Sequence, residues 1–363
     1  MRNILYLFCI FCLLSSTKTA SVNKDIVIDK LPAAKKIESQ ILKVPPILLR
    51  PDGSCIVESF LIIAQRRPDS IFSIFKLPDC KYLLSFGNQG RGPNEFFNSP
   101  LGWTLKPVYS NQESFAVQNQ LYNIQYYRIN DIIKKNITPY KIEKIPTKLG
   151  GFRTIGYFSD TIIIGAPEYL DILLLKYYSN NKQIQTFKNY PNKYSVDDLN
   201  TLRNIYSGFI TVKPDNLKFA LAYGSKGVIE IYNINDSVPT TISYKDFPSL
   251  EKNLGLKKDS KYPMPHSNNQ MIFCWGIKST NRYIYARIYN DIYSNISDGK
   301  GLKRTYIPEL TVFDWSGNLV TILKPDYFFT EFNIDNNDNY LYTIDNNIEN
   351  IIRRYDISKS VPK

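Results

Sequence analysis

The sequence predicts an all-β protein, and its strand pattern fits a six-bladed β-propeller. The chain has 363 residues, among them 27 tyrosines and 20 phenylalanines. Short runs of aromatic and β-branched residues alternate with turn residues, whereas stretches with helical periodicity are hard to find. Groups of such runs follow one another at intervals typical of propeller blades, at Cys55–Phe86, Trp103–Ile142, Phe152–Phe187, Phe209–Tyr244, Met271–Leu323 and Phe328–Ile357.

The segment before the first group is expected to complete the ring. Residues 41–49 are apolar apart from Lys43. Part of this segment can add a strand to the last blade, and such closure removes two open sheet edges. Pro45 and Pro46 limit that strand to one side of the pair, because proline cannot donate a ladder hydrogen bond.

The domain organisation follows from the same pattern. No Gly/Ser-rich or Pro-rich linker divides the chain, so we expect a single domain over residues 41–358 and a short tail, 359–363. Residues 1–21 have the basic start, the apolar run and the small-residue end of a secretory signal, and the run is too short to span a bilayer. Residues 22–40 are then an N-terminal extension, and we expect export.

The attachment of the exported chain to a membrane is a separate question. A lipoprotein signal requires a small residue immediately before its cysteine, but Cys9 follows Phe8 and Cys12 follows Phe11. A lipid anchor is therefore not expected. Membrane association remains open through the N-terminal segment, which can stay uncleaved as a weak anchor.

One connector carries most of the architectural information: Phe86-Gly87-Asn88-Gln89-Gly90-Arg91-Gly92-Pro93-Asn94-Glu95-Phe96. Glycine permits positive φ and close approach of the backbone, Pro93 fixes its own φ, and the two terminal phenylalanines supply apolar anchors. Arg91 and Glu95 are the candidate brace of a blade junction. A phosphate loop is not favoured, because the Lys-Ser/Thr ending and a following helix are missing. The structural residues predicted here are Gly87, Gly90, Arg91, Gly92, Pro93, Glu95 and Phe96.

A second motif lies near the C-terminus, in the run Leu310–Leu323. Its structural residues are Asp314, Trp315 and Gly317, at the turn between two strands. Together, the two motifs resemble those of the TolB-like six-bladed β-propeller proteins of bacterial envelopes, many of which are lipoproteins, and NHL-type repeats have a looser version of the first. The resemblance implies a six-bladed propeller in the periplasm or outer cell envelope, and it implies no activity.

Catalytic and metal-binding patterns are sparse. His266 is the only histidine, which excludes multi-histidine metal sites and weakens any serine or cysteine triad. The run 335–339 begins like a calcium loop, but Tyr340 occupies the glycine position and Asn346 the position of the closing acid, so we expect a hairpin turn. No catalytic residue, metal or cofactor is assigned.

The mature chain would contain three cysteines, Cys55, Cys80 and Cys274. Cys55 and Cys80 can either pair in an oxidising compartment or remain buried thiols, and the odd number argues against a disulfide scaffold. Charge is equally unspecific. The formal net charge is +12, but the basic residues are dispersed and accompany no nucleic-acid-binding module, so nucleic acid is not expected as a partner.

The functional expectation is a non-catalytic propeller, acting as a monomer, that binds a glycan or a protein partner of the cell envelope. The ligand-binding residues are unknown from sequence. The alternative is a carbohydrate-active hydrolase or lyase that uses carboxylates in the propeller funnel, because glycoside cleavage can proceed with two acids and no histidine. Acids with raised pKa converging on the axis would favour the enzyme.

Overall fold

The computed structural model describes residues 24–92, 95–96, 100, 104–109, 113–119, 123–191, 199–254, 269–297 and 302–363. The predicted signal, Pro93 and His266 lie outside these ranges. The described N-terminal segment forms three short strands: β1 (Lys24–Ile28), β2 (Lys35–Ile37) and β3 (Ser39–Lys43).

The first half of the chain forms three antiparallel meanders, each of four strands. Meander 1 contains β4 (Pro51–Val57), β5 (Phe60–Gln65), β6 (Phe72–Lys76) and β7 (Lys81–Phe86). Meander 2 contains β8 (Leu105–Val108), β9 (Ser114–Asn119), β10 (Asn123–Arg128) and β11 (Lys141–Lys144). Meander 3 contains β12 (Phe152–Tyr157), β13 (Ile162–Pro167), β14 (Leu174–Tyr178) and β15 (Gln183–Lys188).

Three further meanders follow in the second half. Meander 4 contains β16 (Gly208–Val212), β17 (Lys218–Tyr223), β18 (Val228–Asn233) and β19 (Thr240–Tyr244). Meander 5 contains β20 (Met271–Ser279), β21 (Tyr283–Ile292), β22 (Glu309–Asp314) and β23 (Leu319–Pro325). Meander 6 contains β24 (Glu331–Ile334), β25 (Tyr340–Ile344) and β26 (Ile351–Asp356). These bounds agree with the strand groups expected from the sequence, and the fold is all-β and propeller-like.

Within the described ranges, short helices occur only in the connections between strands. They are α1 (Ile129–Ile133), α2 (Leu199–Ile205), α3 (Leu250–Leu254) and α4 (Tyr293–Ile296), with a 3₁₀ turn at Thr147–Leu149. None of the described helices has the length and apolar composition of a membrane span.

The N-terminal strands lie along the outer edges of the last three meanders in order. β1 pairs in parallel with β19, β2 pairs in parallel with β23, and β3 pairs antiparallel with β26. The third pairing is the strand addition expected from the sequence, and it ends shortly before Pro45. The first two pairings were not expected. Each added strand occupies the open edge of a final strand, whose backbone groups would otherwise remain unpaired.

The first strands of the meanders surround a common axis. β4, β8, β12, β16, β20 and β24 contact one another in this order, and β24 in turn contacts β4. Among the described strands, only those of meanders 2 and 3 share a sheet, through one parallel pair between Tyr157 and Val108. Side chains from distant parts of the sequence can therefore meet at this axis.

Aromatic side chains fill the spaces between meanders. At the junction of meanders 1 and 2, the ring of Phe72 contacts the rings of Phe86, Phe96 and Phe115 at centroid distances of 5.1, 5.0 and 6.0 Å. Burial of each such ring contributes about 1.5–3 kcal/mol to stability. Cys55, Cys80 and Cys274 are buried free thiols, and burial raises the pKa of each to about 12. The pairing of Cys55 with Cys80 is therefore not present.

Candidate functional site

The glycine-rich connector joins meander 1 to meander 2. The backbone N–H of Gly90 donates to the carbonyl of Phe96 at 3.0 Å, and the N–H of Phe96 donates to the carbonyl of Asn88 at 2.9 Å. The side chain of Asn119, on β9, donates to the carbonyl of Glu95 at 2.7 Å. These bonds and the buried ring of Phe96 fix the conformation of the connector.

Its three glycines serve different needs. Gly87 has a φ of 83°, in the left-handed region that favours glycine. A Cβ at Gly90 would lie 1.9 Å from a carboxylate oxygen of Glu95. Gly92 donates its N–H to the same oxygen, Oε2, at 2.7 Å. Gly92 does not have a positive φ. The close approach of the Glu95 side chain, and not the backbone conformation, therefore explains why a glycine stands at this position. Arg91 is exposed beside this loop.

The second motif holds the turn between β22 and β23. Asp314 Oδ1 accepts the backbone N–H groups of Ser316 and Asn318 at 2.8 and 2.9 Å. The indole of Trp315 donates to the carbonyl of Thr280 at 3.0 Å. Gly317 has a φ of 88°, and a Cβ there would lie 2.7 Å from the side chain of Ile26 on β1. The turn therefore also positions the first N-terminal strand.

The run 335–339 forms the hairpin turn that the sequence predicts. Asp335 Oδ1 accepts the backbone N–H groups of Asn339 and Tyr340 at 2.7 and 2.9 Å. Asp338 faces meander 5, where its carboxylate accepts hydrogen bonds from Arg282 at 2.9 Å and from Tyr285 at 2.9 Å. Across the described part of the chain, no three His, Cys, Asp or Glu side chains are grouped as metal ligands.

A cavity of about 330 Å³ opens on the axis, where most of the first strands begin. Sequence reasoning assigned none of its lining residues to a binding or catalytic site. We call this cavity the channel mouth, and the lining residues that matter for its chemistry are Asp52, Lys106, Trp275, Lys278, Arg287, Glu331 and Asn346. They come from meanders 1, 2, 5 and 6.

The channel mouth contains three cations that are held by main-chain carbonyls. Lys106 is only 8% exposed and donates to the carbonyl of Ile210 at 3.3 Å. Lys278 donates to the carbonyl of Ser54 at 2.7 Å. Arg287, 4% exposed, donates through Nε to the carbonyl of Trp275 at 2.8 Å. Among the described residues, none of the three cations forms an ion pair with a carboxylate.

The pKa values reflect this crowding of charge. Burial, with the nearby charge of Lys278, lowers the pKa of Lys106 to about 7. Burial raises the pKa of Glu331 above its usual range, although Lys278, Arg287 and Lys106 act in the opposite direction. Asp52 is engaged elsewhere, because its carboxylate pairs with Arg66 at 2.7 Å. Below pH 7, where Lys106 is protonated, positive charge is therefore in excess in the channel mouth.

The rest of the lining combines aromatic side chains with a polar atom that has no hydrogen-bond partner. Trp275 lines the cavity and contacts Tyr289 edge-on, with ring centroids 6.3 Å apart. Phe209 and Phe328 are also part of the lining. The side-chain oxygen of Asn346 is buried without a hydrogen-bond partner. A cavity whose lining contains both an aromatic side chain and an unsatisfied acceptor can accommodate a ligand that carries hydroxyl groups.

The opposite end of the axis has a different lining. A cavity of about 680 Å³ lies where the first strands end, and it is bounded by Glu58, Glu113, Asn216, Asn281 and Asn336. The described residues of its lining include no lysine or arginine. The two ends of the axis therefore differ in charge, and only the channel mouth concentrates buried cations.

The sequence contains one signal of the channel mouth, which is a pair of lysines inside apolar strands. Lys106 and Lys278 interrupt the apolar first strands of their meanders, at Leu105-Lys106 and Ile277-Lys278. Burial of a lysine inside a strand costs free energy unless its charge is paired, so such a lysine indicates a special environment. The convergence of two such lysines cannot be read from their separation along the chain.

The fold is propeller-like, and a cavity with a cationic lining lies on its axis. A family model described as TolB-like 6-blade propeller-like matches residues 52–337. The match covers most of the chain, which therefore belongs to this family. The resemblance inferred from the two motifs is confirmed.

Solved structures show the same fold at low sequence identity. A member of the DUF4221 family from Bacteroides vulgatus superposes with a TM-score of 0.57 at 11% identity, covering 90% of this chain and 97% of that one. A protein named as a candidate exported protein, from Bacteroides fragilis, superposes with a TM-score of 0.56 at 13% identity, covering 92% and 99%. No curated protein matches the sequence. At these identities the likeness concerns the fold alone.

Proposed function

We propose that the chain is an exported six-bladed propeller that binds a ligand or a protein partner in the bacterial cell envelope without catalysis. In this proposal residues 1–21 are the signal, residues 22–40 precede a single propeller domain at 41–358, and residues 359–363 form the tail. Pairing of β3 with β26 closes the ring, and the protein acts as a monomer in the periplasm or outer envelope. The signal pattern and the name of the Bacteroides fragilis relative support export.

The observation that carries the binding role is the channel mouth. Its volume lies at the small end of the range for ligand pockets, roughly 300–1,000 Å³. Arg287 and Lys278 are fixed by hydrogen bonds to carbonyls on rigid strands, so the site is formed before a ligand arrives. Preformed geometry lowers the entropic cost of binding.

The raised pKa of Glu331 is the one observation in the channel mouth that supports the enzyme alternative. A raised pKa is a property of a general acid, which a hydrolase or lyase needs. Hydrolysis of a glycoside ordinarily requires a second carboxylate. The other acid of the channel mouth, Asp52, is committed to Arg66. The arrangement therefore favours binding over cleavage.

The test is retention of envelope material on the immobilised exported protein, with parallel detection of cleaved products. We expect retention without turnover, and we expect Lys278→Met to reduce it. Lys176→Met is the matched control, because Lys176 is also buried, at 3% exposed, and also donates to a main-chain carbonyl, that of Ile234, but does not line the cavity.

Two results would change the proposal. Cleavage that is lost in Glu331→Gln would replace binding with the enzyme alternative. Retention that is equal in the wild type, in Lys278→Met and in Lys176→Met would remove the channel mouth from the function, and a complete lack of retention would contradict the binding role.

A further inference from the structure

The channel mouth has more hydrogen-bond donors than the protein uses. A lysine ammonium has three N–H donors, and a guanidinium has five. Lys106 and Lys278 each use one donor on a carbonyl. Arg287 donates from Nε and one terminal nitrogen to Trp275 and from the other to Thr330, which leaves two N–H groups. These remaining donors belong to cationic groups without a carboxylate partner.

Charge complementarity indicates what can satisfy these donors. Three cations face Glu331 and the already paired Asp52, so the cavity favours an anionic group of a ligand. Charge-assisted hydrogen bonds to such a group are roughly twice as strong as neutral ones. A simple anion would occupy only part of the cavity and would leave Trp275 and the acceptor of Asn346 unused.

We propose that the channel mouth binds a sugar residue that carries an anionic group, with Lys106, Lys278 and Arg287 facing the anion, and with Trp275 and Asn346 facing the sugar ring. This inference rests on the proposed binding function and names the class of its ligand. The small cavity lies at one end of the axis, so it accommodates a terminal or side-chain residue of a glycan instead of a run of the polymer. A carboxylate and a sulfate are the two sources of the same charge chemistry.

The pH dependence of binding follows from the groups around the cavity. Lys106 faces Lys278, Glu331 and the thiol of Cys55, and Glu331 additionally faces Arg287 and Asp52. Protonated Lys106 and neutral Glu331 both favour an anion, and both forms are lost as the pH rises. For one linked proton with a pKa near 7, affinity falls by about tenfold between pH 6 and pH 8.

The test compares four probes by calorimetric titration at pH 6: glucuronate, glucose 6-sulfate, glucose and acetate. We expect at least one anionic sugar to bind about tenfold or more tightly than both glucose and acetate. Binding of glucuronate alone assigns a carboxylated sugar, and binding of glucose 6-sulfate alone assigns a sulfated one. Lys278→Met should lose about tenfold in affinity, whereas Lys176→Met should bind as the wild type does.

A second variant guards against a folding defect in Lys278→Met. Lys106→Met removes a buried charge and should fold at least as well as the wild type while binding the anionic sugar more weakly. Equal affinities for glucose and the anionic sugars would overturn the inference, as would acetate binding as tightly as glucuronate. Unchanged affinity in both lysine variants would also overturn it.

The inference and the proposed function can fail separately. When envelope material is retained through the channel mouth but neither anionic sugar competes with it, the sugar assignment is wrong and the binding function stands. When nothing is retained, the binding function itself is contradicted.

Discussion

The channel mouth and the interface between meanders 3 and 4 both bury charged side chains, but they satisfy them differently. At the interface, Glu230 accepts hydrogen bonds from Lys188 at 2.6 Å, Tyr223 at 2.8 Å and Tyr232 at 2.5 Å. In the channel mouth, Lys106 and Lys278 have only neutral carbonyls as partners. The interface charge is paired within the protein, and the two lysines of the channel mouth are not.

The same paired arrangement recurs at other junctions. Between meanders 2 and 3, Glu143 accepts hydrogen bonds from Tyr177 at 2.6 Å and from Lys182 at 2.5 Å. Between meanders 5 and 6, Asp338 accepts from Arg282 and Tyr285. A carboxylate, a cation and a phenol hydroxyl thus join neighbouring meanders three times. This repetition shows what a structural charge looks like in this molecule, and the channel mouth departs from it.

The largest effect is expected at the meander interface. Glu230→Ala should lower the free energy of unfolding by about 3–5 kcal/mol, because it leaves Lys188 and two phenol hydroxyls without their shared acceptor. Burial acts to raise the pKa of Glu230, but the charges of Lys188 and Lys226 outweigh this effect. The pKa of Glu230 therefore lies below its usual range. The contribution is therefore complete at neutral pH and is lost as the pH falls through this lowered pKa.

Denaturant unfolding of Glu230→Ala and Glu230→Gln at pH 7 measures this loss. Glu230→Gln keeps an acceptor for the phenols and serves as the control, with a smaller loss. A loss below about 1 kcal/mol for Glu230→Ala would remove the energetic distinction between the two regions.

A stabilising effect is expected in the channel mouth. Lys106→Met should raise the free energy of unfolding by roughly 1–3 kcal/mol at pH 7, because a buried cation without a counter-ion is replaced by an apolar side chain of similar length. The folded pKa, about 7, lies below the ordinary value of 10.5, so the unfolded chain binds the additional proton between these values. Wild-type stability should therefore rise, relative to Lys106→Met, as the pH rises from 7 to 10.

Unfolding of both proteins at several pH values between 7 and 10 checks the sign. A pH-independent difference would show that Lys106 is not the strained group. Lys176→Met provides the comparison with a buried lysine outside the channel mouth.

The smallest effect is expected for a charge pair at the surface. Asp29 and Lys245 lie 2.7 Å apart, but each side chain is 60% exposed. Asp29→Ala should change the free energy of unfolding by less than about 0.5 kcal/mol, because solvent screens the pair. Thermal unfolding at low and high salt is the measurement, and a loss above about 1 kcal/mol would mean that exposure does not rank the charges of this protein.

The sequence predicted the strand groups well because aromatic and β-branched runs with turn residues between them are local signals. It also located the connector at Gly87–Phe96, whose glycines permit a positive φ or the close approach of a side chain. It did not indicate β1 and β2, because short edge strands with many charged residues resemble an irregular extension. It did not indicate the site either, since Lys106, Lys278 and Glu331 converge only after three different meanders surround the axis.

The central claim is that the channel mouth keeps unpaired cations for a ligand at a cost in stability. The most direct test measures envelope-ligand retention and the unfolding midpoint on the same preparation of Lys106→Met at pH 7. The account predicts a higher midpoint together with weaker retention. A lower midpoint together with unchanged retention would contradict it, because Lys106 would then serve the fold and not the ligand.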